Sequence, residues 1–538
     1  MDAQLTPLSF LRRSAEVHPD KTAVIHGSRR LTYRELADEA QRLADALRSA
    51  GVAPGDRVAC LLPNVPEMVV AHFGVPLAGA TLVAINTRLA SEEVRYICDH
   101  AEAVVLVVDA AFADLVTPLL GTLATVRTVV TVVDTEGPTA DVLPGTVDYR
   151  ALLDEAEPGG FDWSVDDEQA PIAINYTSGS TTGRPKGVVY THRGAYLASL
   201  GGLAHAGHSS ASVYLWTLPM FHCNGWCTAW AVTAAGGTQV CLREVRGEPI
   251  WQLIDTHGVT HLNGAPTVVT TIMNAKHARK LDRPLVITTA GAPPSPTTIQ
   301  QMEQMGFTII HVYGLTETYG PYAVCETQPA WEGLAPEERA RLMSRQGVGM
   351  MHTDGLRVVE SQLRDGALED VPADGQTMGE IVMRGNGVMK GYFKDPEGTQ
   401  KAFAGGWFHS GDLGVMHPDG YVELRDRAKD VVVSGGENIA TVEVEHAVAS
   451  HAAVLEVAVV GVPDERWGER PKAFVVLRPG EAVSTTALLQ HVRTKIAHYK
   501  APREIELLAD LPKTSTGKIQ KFDLREKEWS GHAHRIHG

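Results

Sequence analysis

Positive charge is in short supply in this 538-residue sequence. Lys and Arg together number 48 against 64 Asp and Glu, which gives a formal net charge of −16. A broad nucleic-acid surface needs clustered cations that displace the counterions of the phosphates. The composition therefore argues against nucleic acid as a partner, and any anionic ligand must meet a local group of cations.

Long apolar runs and cysteines are also scarce. No stretch of about 18 apolar residues could span a bilayer, and residues 1–16 lack the basic start and apolar run of a leader peptide. The six cysteines are too few for a disulfide framework in so long a chain. His222, Cys223 and Cys227 raise the alternative of a metal site, but no second ligand pair follows at finger-like spacing. We expect buried thiols, no membrane span and a cytoplasmic location.

Short apolar runs alternate with amphipathic ones over the first 320 residues. The stretches VACLLPN (58–64), TLVAIN (81–86) and VVLVVD (104–109) predict strands, and 66–79 and 91–100 predict helices between them. A capping box at Thr32 predicts a further helix that ends before Gly51. This alternation is typical of an α/β fold in which parallel sheets are covered by helices.

The pattern changes twice towards the C-terminus. Residues 346–425 read as shorter, turn-rich strands, which predicts a β-rich subdomain. After Asp430 we expect a helix over 441–449, strands over 454–461 and 472–477, a helix over 485–497 and a strand over 503–508. A chain of this length exceeds one hydrophobic core, so we predict a large domain over 1–429 and a small α+β domain over 430–538.

The stretch TSGSTTGRPKG (177–187) concentrates glycines, hydroxyls and two cations in a loop at the end of the predicted strand 172–176. Such a loop can turn several N–H groups towards one anion, and α/β proteins bind ligands at that edge of the sheet. It is not a Walker loop, since Lys186 is followed by Gly187 and not by Ser or Thr. A flexible surface hairpin is the alternative interpretation.

Further motifs decide between a phosphate-binding loop and a surface hairpin. The loop itself resembles the signature loop of the adenylate-forming superfamily. That superfamily includes acyl-CoA and aryl-CoA synthetases, nonribosomal peptide adenylation domains and firefly luciferase. Its other motifs recur in order as AGAPP (290–294), YGLTET (313–318), GWFHSGD (406–412), RDRAKDVVVSGGENI (425–439) and PKTSTGKIQK (512–521). The resemblance spans most of the chain.

The resemblance implies an ATP site with Mg²⁺. Glu317 matches the metal-holding glutamate, with Thr177 as a further metal contact and Thr316 at the α-phosphate. Tyr313 matches the residue stacked on adenine, and Asp412 and Arg427 match the pair that contacts the ribose. The remaining residues of the implied nucleotide site are Ser178, Gly179, Ser180, Thr181, Thr182, Gly183, Lys186, Gly291 and Ala292.

Lys518 resembles the C-terminal lysine that bridges the carboxylate and the α-phosphate during adenylation. The same resemblance places a hinge at Asp430, about which the small domain rotates so that a thiol can reach the adenylate. Ser434, Gly435 and Gly436 would then lie against the pantetheine arm of coenzyme A.

The stretch LPMFHCNGWCTAW (218–230) bears on the acid that is bound. His222 corresponds to a position beside the reacting carboxylate, and Trp226 follows one helical turn later on the same predicted face. A bulky indole shortens an acyl pocket, so we expect a short-chain or medium-chain acid or a small aryl acid. Gly291, Gly314 and Pro321 are further candidates for the pocket wall.

The predicted function is that of an ATP-dependent carboxylic acid–CoA ligase. The sequence MFHCNGW within residues 218–230 resembles that of plant-type acyl-activating enzymes and methylmercaptopropionate–CoA ligases more than that of long-chain fatty-acid ligases. One alternative is an adenylating enzyme that passes the acid to a carrier protein or another nucleophile, and another is a nucleotide-binding protein without turnover. ATP, Mg²⁺ and coenzyme A are the expected cofactors and substrates, and a homodimer is compatible with the sequence.

Overall fold

The computed structural model describes residues 3–138, 140–177, 185–291, 294, 296–360, 367–427, 430–434, 437–464, 467–514 and 519–530. The helices are α1 (Leu8–Val17), α2 (Tyr33–Ser49), α3 (Pro66–Leu77), α4 (Ser91–Ala101), α5 (Ala113–Val116), α6 (Tyr149–Asp154), α7 (His192–Ala206), α8 (Cys223–Trp226), α9 (Thr228–Ala235), α10 (Gly247–His257), α11 (Pro266–Met273), α12 (Pro296–Gln304), α13 (Pro336–Met343), α14 (Pro396–Ala402), α15 (Thr441–Ala449), α16 (Thr485–Arg493) and α17 (Lys521–Trp529).

The strands are β1 (Thr22–His26), β2 (Arg29–Thr32), β3 (Arg57–Leu61), β4 (Thr81–Ala84), β5 (Ala103–Asp109), β6 (Thr128–Val132), β7 (Val147–Asp148), β8 (Pro171–Tyr176), β9 (Gly187–Thr191), β10 (Val213–Leu215), β11 (Thr238–Val240), β12 (His261–Gly264), β13 (Leu285–Thr289), β14 (Phe307–Leu315), β15 (Gly320–Val324), β16 (Val348–Gly349), β17 (Gly355–Val359), β18 (Met378–Arg384), β19 (Gly391–Tyr392), β20 (Phe408–Met416), β21 (Val422–Arg427), β22 (Val432–Ser434), β23 (Glu437–Ile439), β24 (Val454–Asp464), β25 (Gly468–Leu477) and β26 (Glu504–Leu507).

Two large sheets carry the N-terminal part of the fold. Their strand orders, over the described residues, are β16-β15-β14-β13-β12-β10-β11-β1-β2 and β19-β9-β8-β4-β3-β5-β6-β7. The central pairs are parallel, as in β3 with β4 and β12 with β13, whereas β8 with β9 and β14 with β15 are antiparallel. The α/β fold class predicted from the alternating runs is confirmed.

The capping box that opens α2 shows how a local signal fixes an element. The Thr32 hydroxyl accepts a hydrogen bond from the backbone N–H of Glu35, and the Glu35 carboxylate accepts one from the backbone N–H of Thr32. These two bonds satisfy donors that a helix start otherwise leaves unpaired. The apolar face that follows is buried at Leu36, Leu43 and Leu47.

The remaining two sheets are smaller. Strands β17, β18, β20 and β21 form an antiparallel sheet where the sequence predicts a β-rich subdomain. Strands β22 to β26 form the C-terminal sheet, with α15 and α16 packed against it through their own apolar cluster. Helix α16 ends at Arg493, four positions before the predicted end at 497.

A helical pattern that begins at Thr191 is also predicted by the sequence, and helix α7 confirms it. The strand that precedes this helix was not predicted. The loop that begins at Thr177 joins β8 to the antiparallel strand β9, and Thr191 then caps the start of α7 through its hydroxyl. The run GVVYT is short and fully buried, so its periodicity cannot be distinguished from a helix start.

Among the residues that the structure describes, no helix is both long enough and apolar enough to cross a membrane. The six cysteines are buried and unbridged. Burial raises the pKa of the Cys60 thiol to about 12 and that of Cys98 to about 12, so these thiols are protonated at neutral pH.

Candidate active site

The predicted phosphate-binding loop (177–187), called the phosphate loop below, is closed at its base by Thr177 and Lys186. The backbone N–H of Thr177 donates to the carbonyl of Lys186 at 3.0 Å, and the N–H of Lys186 donates to the Thr177 hydroxyl at 3.1 Å. The predicted loop residues Ser178, Gly179, Ser180, Thr181, Thr182 and Gly183 lie outside the described residues. The hairpin geometry therefore places Lys186 opposite Thr177 at the mouth of the loop.

The Lys186 ammonium has two neighbours from one later segment of the chain. Its Nζ lies 3.3 Å from Oδ2 of Asp395 and 4.4 Å from the ring centroid of Tyr392. Tyr392 belongs to β19, which pairs with β9 immediately after the phosphate loop. Strand β19, which comes much later in the chain, thus brings Tyr392 into contact with Lys186.

Glu317 is joined to the same segment. The Tyr392 hydroxyl donates to Oε1 of Glu317 at 2.9 Å, and the backbone N–H of Met389 donates to the Glu317 carbonyl at 2.7 Å. Loss of hydration is the main cause that raises the pKa of the Glu317 carboxyl, while the Tyr392 hydrogen bond opposes that rise. The preceding residue, Thr316, accepts a hydrogen bond from Tyr190 on its carbonyl at 2.6 Å.

Asp412 contacts two other predicted nucleotide-binding residues, Tyr313 and Arg427. The Tyr313 hydroxyl donates to Oδ2 of Asp412 at 2.7 Å, and Nε of Arg427 lies 3.3 Å from Oδ1. The Asp412 charge is the largest cause that raises the pKa of Arg427, and the Glu317 charge also contributes. Arg427 is therefore within electrostatic reach of both carboxylates.

Tyr313 itself is buried, with 7% of its surface exposed. Burial, followed by the charge of Asp412, raises its pKa well above the ordinary value, so the phenol remains a hydrogen-bond donor. Gly291, on the predicted adenine wall, has a φ of +94° that favours glycine. Its neighbour Ala292 lies outside the described residues.

The segment that follows His222 departs from the predicted geometry. We expected a right-handed helical turn that places His222 and Trp226 on one face. Residues 223–227 instead all have positive φ, between 42° and 59°, so they form a left-handed turn. For non-glycine residues this conformation costs about 1–2 kcal/mol per residue, and it persists only where the surrounding structure imposes it.

Three contacts with the segment 316–320 hold that turn. The Cys223 thiol lies 3.5 Å from the Thr316 hydroxyl, and the Cys227 thiol lies 3.9 Å from the carbonyl of Tyr319. The Trp226 indole packs on Gly320, where an added Cβ would lie 2.7 Å from its Cδ1. The predicted pocket residue is thus positioned by tertiary contacts with the segment 316–320, which includes the end of the YGLTET motif and the two residues after it.

Two other predicted wall residues are neighbours in the sheet. Gly314 and Pro321 are register partners in the antiparallel pair β14 and β15. A Cβ on Gly314 would lie 1.9 Å from the carbonyl oxygen of Gly320, so only glycine fits there. His222 is half-buried, and its Nε2 lies 3.9 Å from the Cys223 thiol.

The region of the predicted hinge is tied to the last helix. Asp430 forms an ion pair with Arg525 of α17, whose side chain is only 3% exposed. The backbone N–H of Thr441 donates to Oδ2 of Asp426 at 2.6 Å, just before the hinge. The predicted lysine, Lys518, lies outside the described residues, as do Gly435 and Gly436; Lys513 and Ile519 on either side of residue 518 form an antiparallel bridge.

Ser434 lines a cavity of about 350 Å³ on the C-terminal sheet. The other residues that line it include two aromatic rings and two guanidinium groups, namely Trp467, Tyr499, Arg470 and Arg503. The sequence interpretation missed this cavity because its residues come from three separated stretches.

Tyr392 and Asp395 were also missed. Asp395 carries a local signal, since an aspartate before proline is typical of a helix start, and it does cap α14. No local sequence signal marks Tyr392, because its contacts with Glu317 and Lys186 depend on the pairing of β19 with β9.

Comparison with known proteins decides the family. The model for the AMP-binding enzyme family matches residues 11–393, and that for the AMP-binding enzyme C-terminal domain matches residues 443–518. The chain belongs to the AMP-binding enzyme family. The adenylate-forming resemblance inferred from the motifs is confirmed.

Relatives of this AMP-binding enzyme include proteins named as CoA ligases. It is 45% identical to acetate–CoA ligase CCL3 of Humulus lupulus, over 97% of this chain and 94% of that protein. It is 45% identical to the acetate/butyrate–CoA ligase AAE7, peroxisomal, of Arabidopsis thaliana, with the same coverage. The name of that relative places it in the peroxisome, whereas we expected a cytoplasmic location for this chain. The cytoplasmic location stays a prediction.

Solved structures share the fold. The anthranilate CoA ligase AuaEII, crystallised in complex with anthranoyl-AMP, superposes with a TM-score of 0.86 at 25% identity and covers 98% of both chains.

Proposed function

We propose that this AMP-binding enzyme is an ATP-dependent carboxylic acid–CoA ligase that works through an acyl-adenylate. The observation that supports this proposal is that motif residues far apart in sequence lie in two groups of direct contacts. Tyr392 contacts both Lys186 and Glu317, and a separate group joins Asp412 to Tyr313 and Arg427. The first group provides the Lys186 ammonium for phosphates, and the second provides the fixed Asp412 carboxylate for a ribose.

In the first half-reaction, an oxygen of the acid attacks the α-phosphorus of ATP, and the bond to the bridging oxygen of pyrophosphate breaks. Both reactants are anions, so the enzyme must supply positive charge and donors at the α-phosphate. We assign Lys186 to the β- and γ-phosphates, Thr316 to the α-phosphate and Lys518 to the oxygens between acid and phosphate. Asp412 and Arg427 bind the ribose beside Tyr313.

Glu317 is the residue that would hold Mg²⁺. Among the described residues, no group of three or more His, Cys, Asp or Glu side chains could hold a metal ion. The single Glu317 carboxylate fits an ion that takes one or two carboxylates from the protein and the rest of its ligands from phosphates and water. Bound there, Mg²⁺ would neutralise and orient the phosphate oxygens.

In the second half-reaction, the sulfur of coenzyme A attacks the acyl carbon and AMP leaves. We propose that residues 430–538 form a small domain that turns about Asp430 and removes Lys518 from the adenylate. The cavity beside Ser434 suits this step, because Arg470 and Arg503 bring positive charge and Trp467 brings an aromatic face. These groups match the phosphates and adenine of coenzyme A.

For the acid, we propose a short-chain aliphatic carboxylate. The Trp226 indole fills the space next to Gly320, and its left-handed turn is held by three contacts with the segment 316–320. The names of the relatives, acetate–CoA and acetate/butyrate–CoA ligase, agree with a pocket of this length.

The test is a panel of acetate, butyrate, 2-methylpropanoate, hexanoate and benzoate, with AMP release and thioester formation measured with and without coenzyme A. We expect a thioester only when ATP and coenzyme A are both present, and the highest kcat/KM among acids of two to four carbons. Pyrophosphate release without any thioester would favour transfer to a carrier protein. Absence of acid-dependent pyrophosphate release with the whole panel would refute the proposal.

A further inference from the structure

Residues 389–395 connect the two halves of the candidate phosphate site through the backbone. The N–H of Met389 donates to the carbonyl of Glu317 at 2.7 Å, and the N–H of Lys390 donates to the carbonyl of Val189 at 3.0 Å. The N–H of Phe393 donates to the carbonyl of Gly187, the end of the phosphate loop, at 2.7 Å. This segment therefore has a fixed position relative to both Glu317 and Lys186.

The side chain of Tyr392 contacts both Glu317 and Lys186, through different groups. Its hydroxyl donates to Glu317, while its ring lies under the Lys186 ammonium. Its backbone N–H donates to the Thr399 hydroxyl at 2.9 Å, which ties the residue to α14. One rigid phenol thus sets the spacing between the carboxylate and the ammonium.

Asp395 divides its two carboxylate oxygens between different partners. Oδ1 accepts from the backbone N–H of Gly398 at 2.8 Å and caps α14, whereas Oδ2 lies 3.3 Å from Nζ of Lys186. The N–H of Gly398 is the largest cause that lowers the pKa of Asp395, and Lys186 adds to it. The carboxylate is therefore charged at neutral pH.

We infer that Tyr392 and Asp395 form a holding site, which keeps Glu317 and Lys186 in place while no nucleotide is bound. On this inference the triphosphate takes Lys186 away from Asp395, and Tyr392 keeps its hydrogen bond to Glu317. Both are positioning residues, and the inference rests on the proposed function because it assigns Lys186 to the triphosphate.

The two residues should have opposite effects on ATP affinity. Asp395 competes with ATP for Lys186, so removal of its charge should tighten ATP binding. Tyr392 orients Glu317, so loss of its hydroxyl should weaken ATP binding when Mg²⁺ is present. A role limited to the stability of α14 predicts no gain in affinity from any change at Asp395.

The experiment is calorimetric titration of the full-length enzyme with ATP and Mg²⁺, without acid. Asp395→Asn keeps an N-cap acceptor and removes the charge, and Asp395→Ser is a second variant that also keeps a cap. We expect the Kd for ATP to fall about two- to fivefold, in line with a partly exposed ion pair. Glu397→Gln, an exposed carboxylate in the first turn of α14, should leave the Kd unchanged.

A double variant separates competition for Lys186 from general repulsion. In a Lys186→Met background, Asp395→Asn should no longer tighten ATP binding. If the gain persists there, simple charge repulsion explains it and the holding site is refuted.

For Tyr392→Phe, we expect the Kd for ATP to rise about three- to tenfold with Mg²⁺ and less than about twofold in EDTA, because a hydrogen bond to a carboxylate is lost while the ring remains. Equal losses in both conditions would contradict the assignment. Wild-type enzyme that binds no ATP would refute the proposed function itself, whereas ATP binding that is unaltered by Asp395→Asn and Asp395→Ser would refute only the holding site.

Discussion

Trp226 and Gly320 form a matched pair, in which the indole of one residue occupies the space that a side chain on the other would need. Gly320 has a φ of +92°, and a Cβ built on it would lie 2.7 Å from Cδ1 of Trp226. The pair joins the predicted acyl pocket to the motif that carries Glu317. The candidate wall of the acyl pocket is thus packed against the segment that follows Glu317.

Trp226→Leu should lengthen the acyl pocket. The smaller side chain leaves room for further methylene groups, each of which contributes about 0.8 kcal/mol when buried. We expect the ratio of kcat/KM for hexanoate to that for acetate to rise at least about tenfold, measured by AMP release. Trp163→Leu, in which a half-buried tryptophan packed on the main core is changed, is the matched control, and an equal rise in that variant would contradict the pocket role.

Gly320→Ala should destabilise the protein and lower activity together. The positive φ disfavours alanine by about 1–2 kcal/mol, and the new Cβ must displace the indole. We expect a lower melting temperature and a reduced kcat/KM for short acids. Gly202→Ala is the control, because a Cβ there has nothing within 4 Å inside helix α7 and should stabilise the helix by about 1 kcal/mol. A melting temperature of Gly320→Ala equal to that of the wild type would contradict the tight packing of Trp226 on Gly320.

Tyr313→Phe should weaken ATP binding while it keeps the aromatic ring. The lost hydrogen bond to Asp412 is one to a charged group, worth about 1.5 kcal/mol, which corresponds to about a tenfold rise in Kd. Calorimetry with ATP measures it. Tyr322→Phe also removes a buried hydroxyl, which donates to the carbonyl of Gly355 at 2.6 Å, and should affect stability but not the Kd. An unchanged Kd in Tyr313→Phe would remove the phenol from the proposed ribose site.

Lys518→Ala should separate the two half-reactions. A cation placed at the transition state of adenylation is expected to contribute about 10²- to 10³-fold in rate. We therefore expect acid-dependent pyrophosphate release to fall by that factor, while the Kd for ATP and thioester formation from supplied acyl-adenylate change little. Equal activity of the variant and the wild type in adenylation would refute the role of this lysine.

His409 should stabilise the protein mainly at acidic pH. Its Nδ1 lies 2.8 Å from Oε2 of Glu380, and this hydrogen bond is the largest cause that raises its pKa above the ordinary value of 6.5. A raised pKa in the folded state means that the stabilisation is complete below pH 6.5 and is lost as the pH rises through the folded-state value. The difference in melting temperature between wild type and His409→Gln should therefore be larger at pH 5.5 than at pH 9.

His257 provides the opposite control for this pH dependence. Burial, followed by the charge of Arg30, lowers the pKa of His257. Acid should therefore reduce the stability of the wild type relative to His257→Gln. The same trend in both variants would show that the Glu380 hydrogen bond is not the cause.

Local signals in the sequence determined the elements of the fold and the chemistry of the site. The capping box at Thr32 and the alternation of apolar runs depend on neighbours a few residues apart, so helix α2 and strands β3 to β5 were predicted closely. The residue types in the ordered motifs likewise indicated an adenylate-forming enzyme before any contact was known. Family membership follows from sequence alone.

Only the tertiary structure decided how the motif residues are held. In the left-handed turn at 223–227, Asn224 and Gly225 tolerate a positive φ locally, whereas Cys223, Trp226 and Cys227 adopt it beside Thr316, Tyr319 and Gly320, which they contact. The position of Tyr392 between Glu317 and Lys186 likewise depends on a strand pairing that spans some 200 residues. Such contacts are set by long-range packing, which overrides local preference and leaves no periodic pattern in the chain.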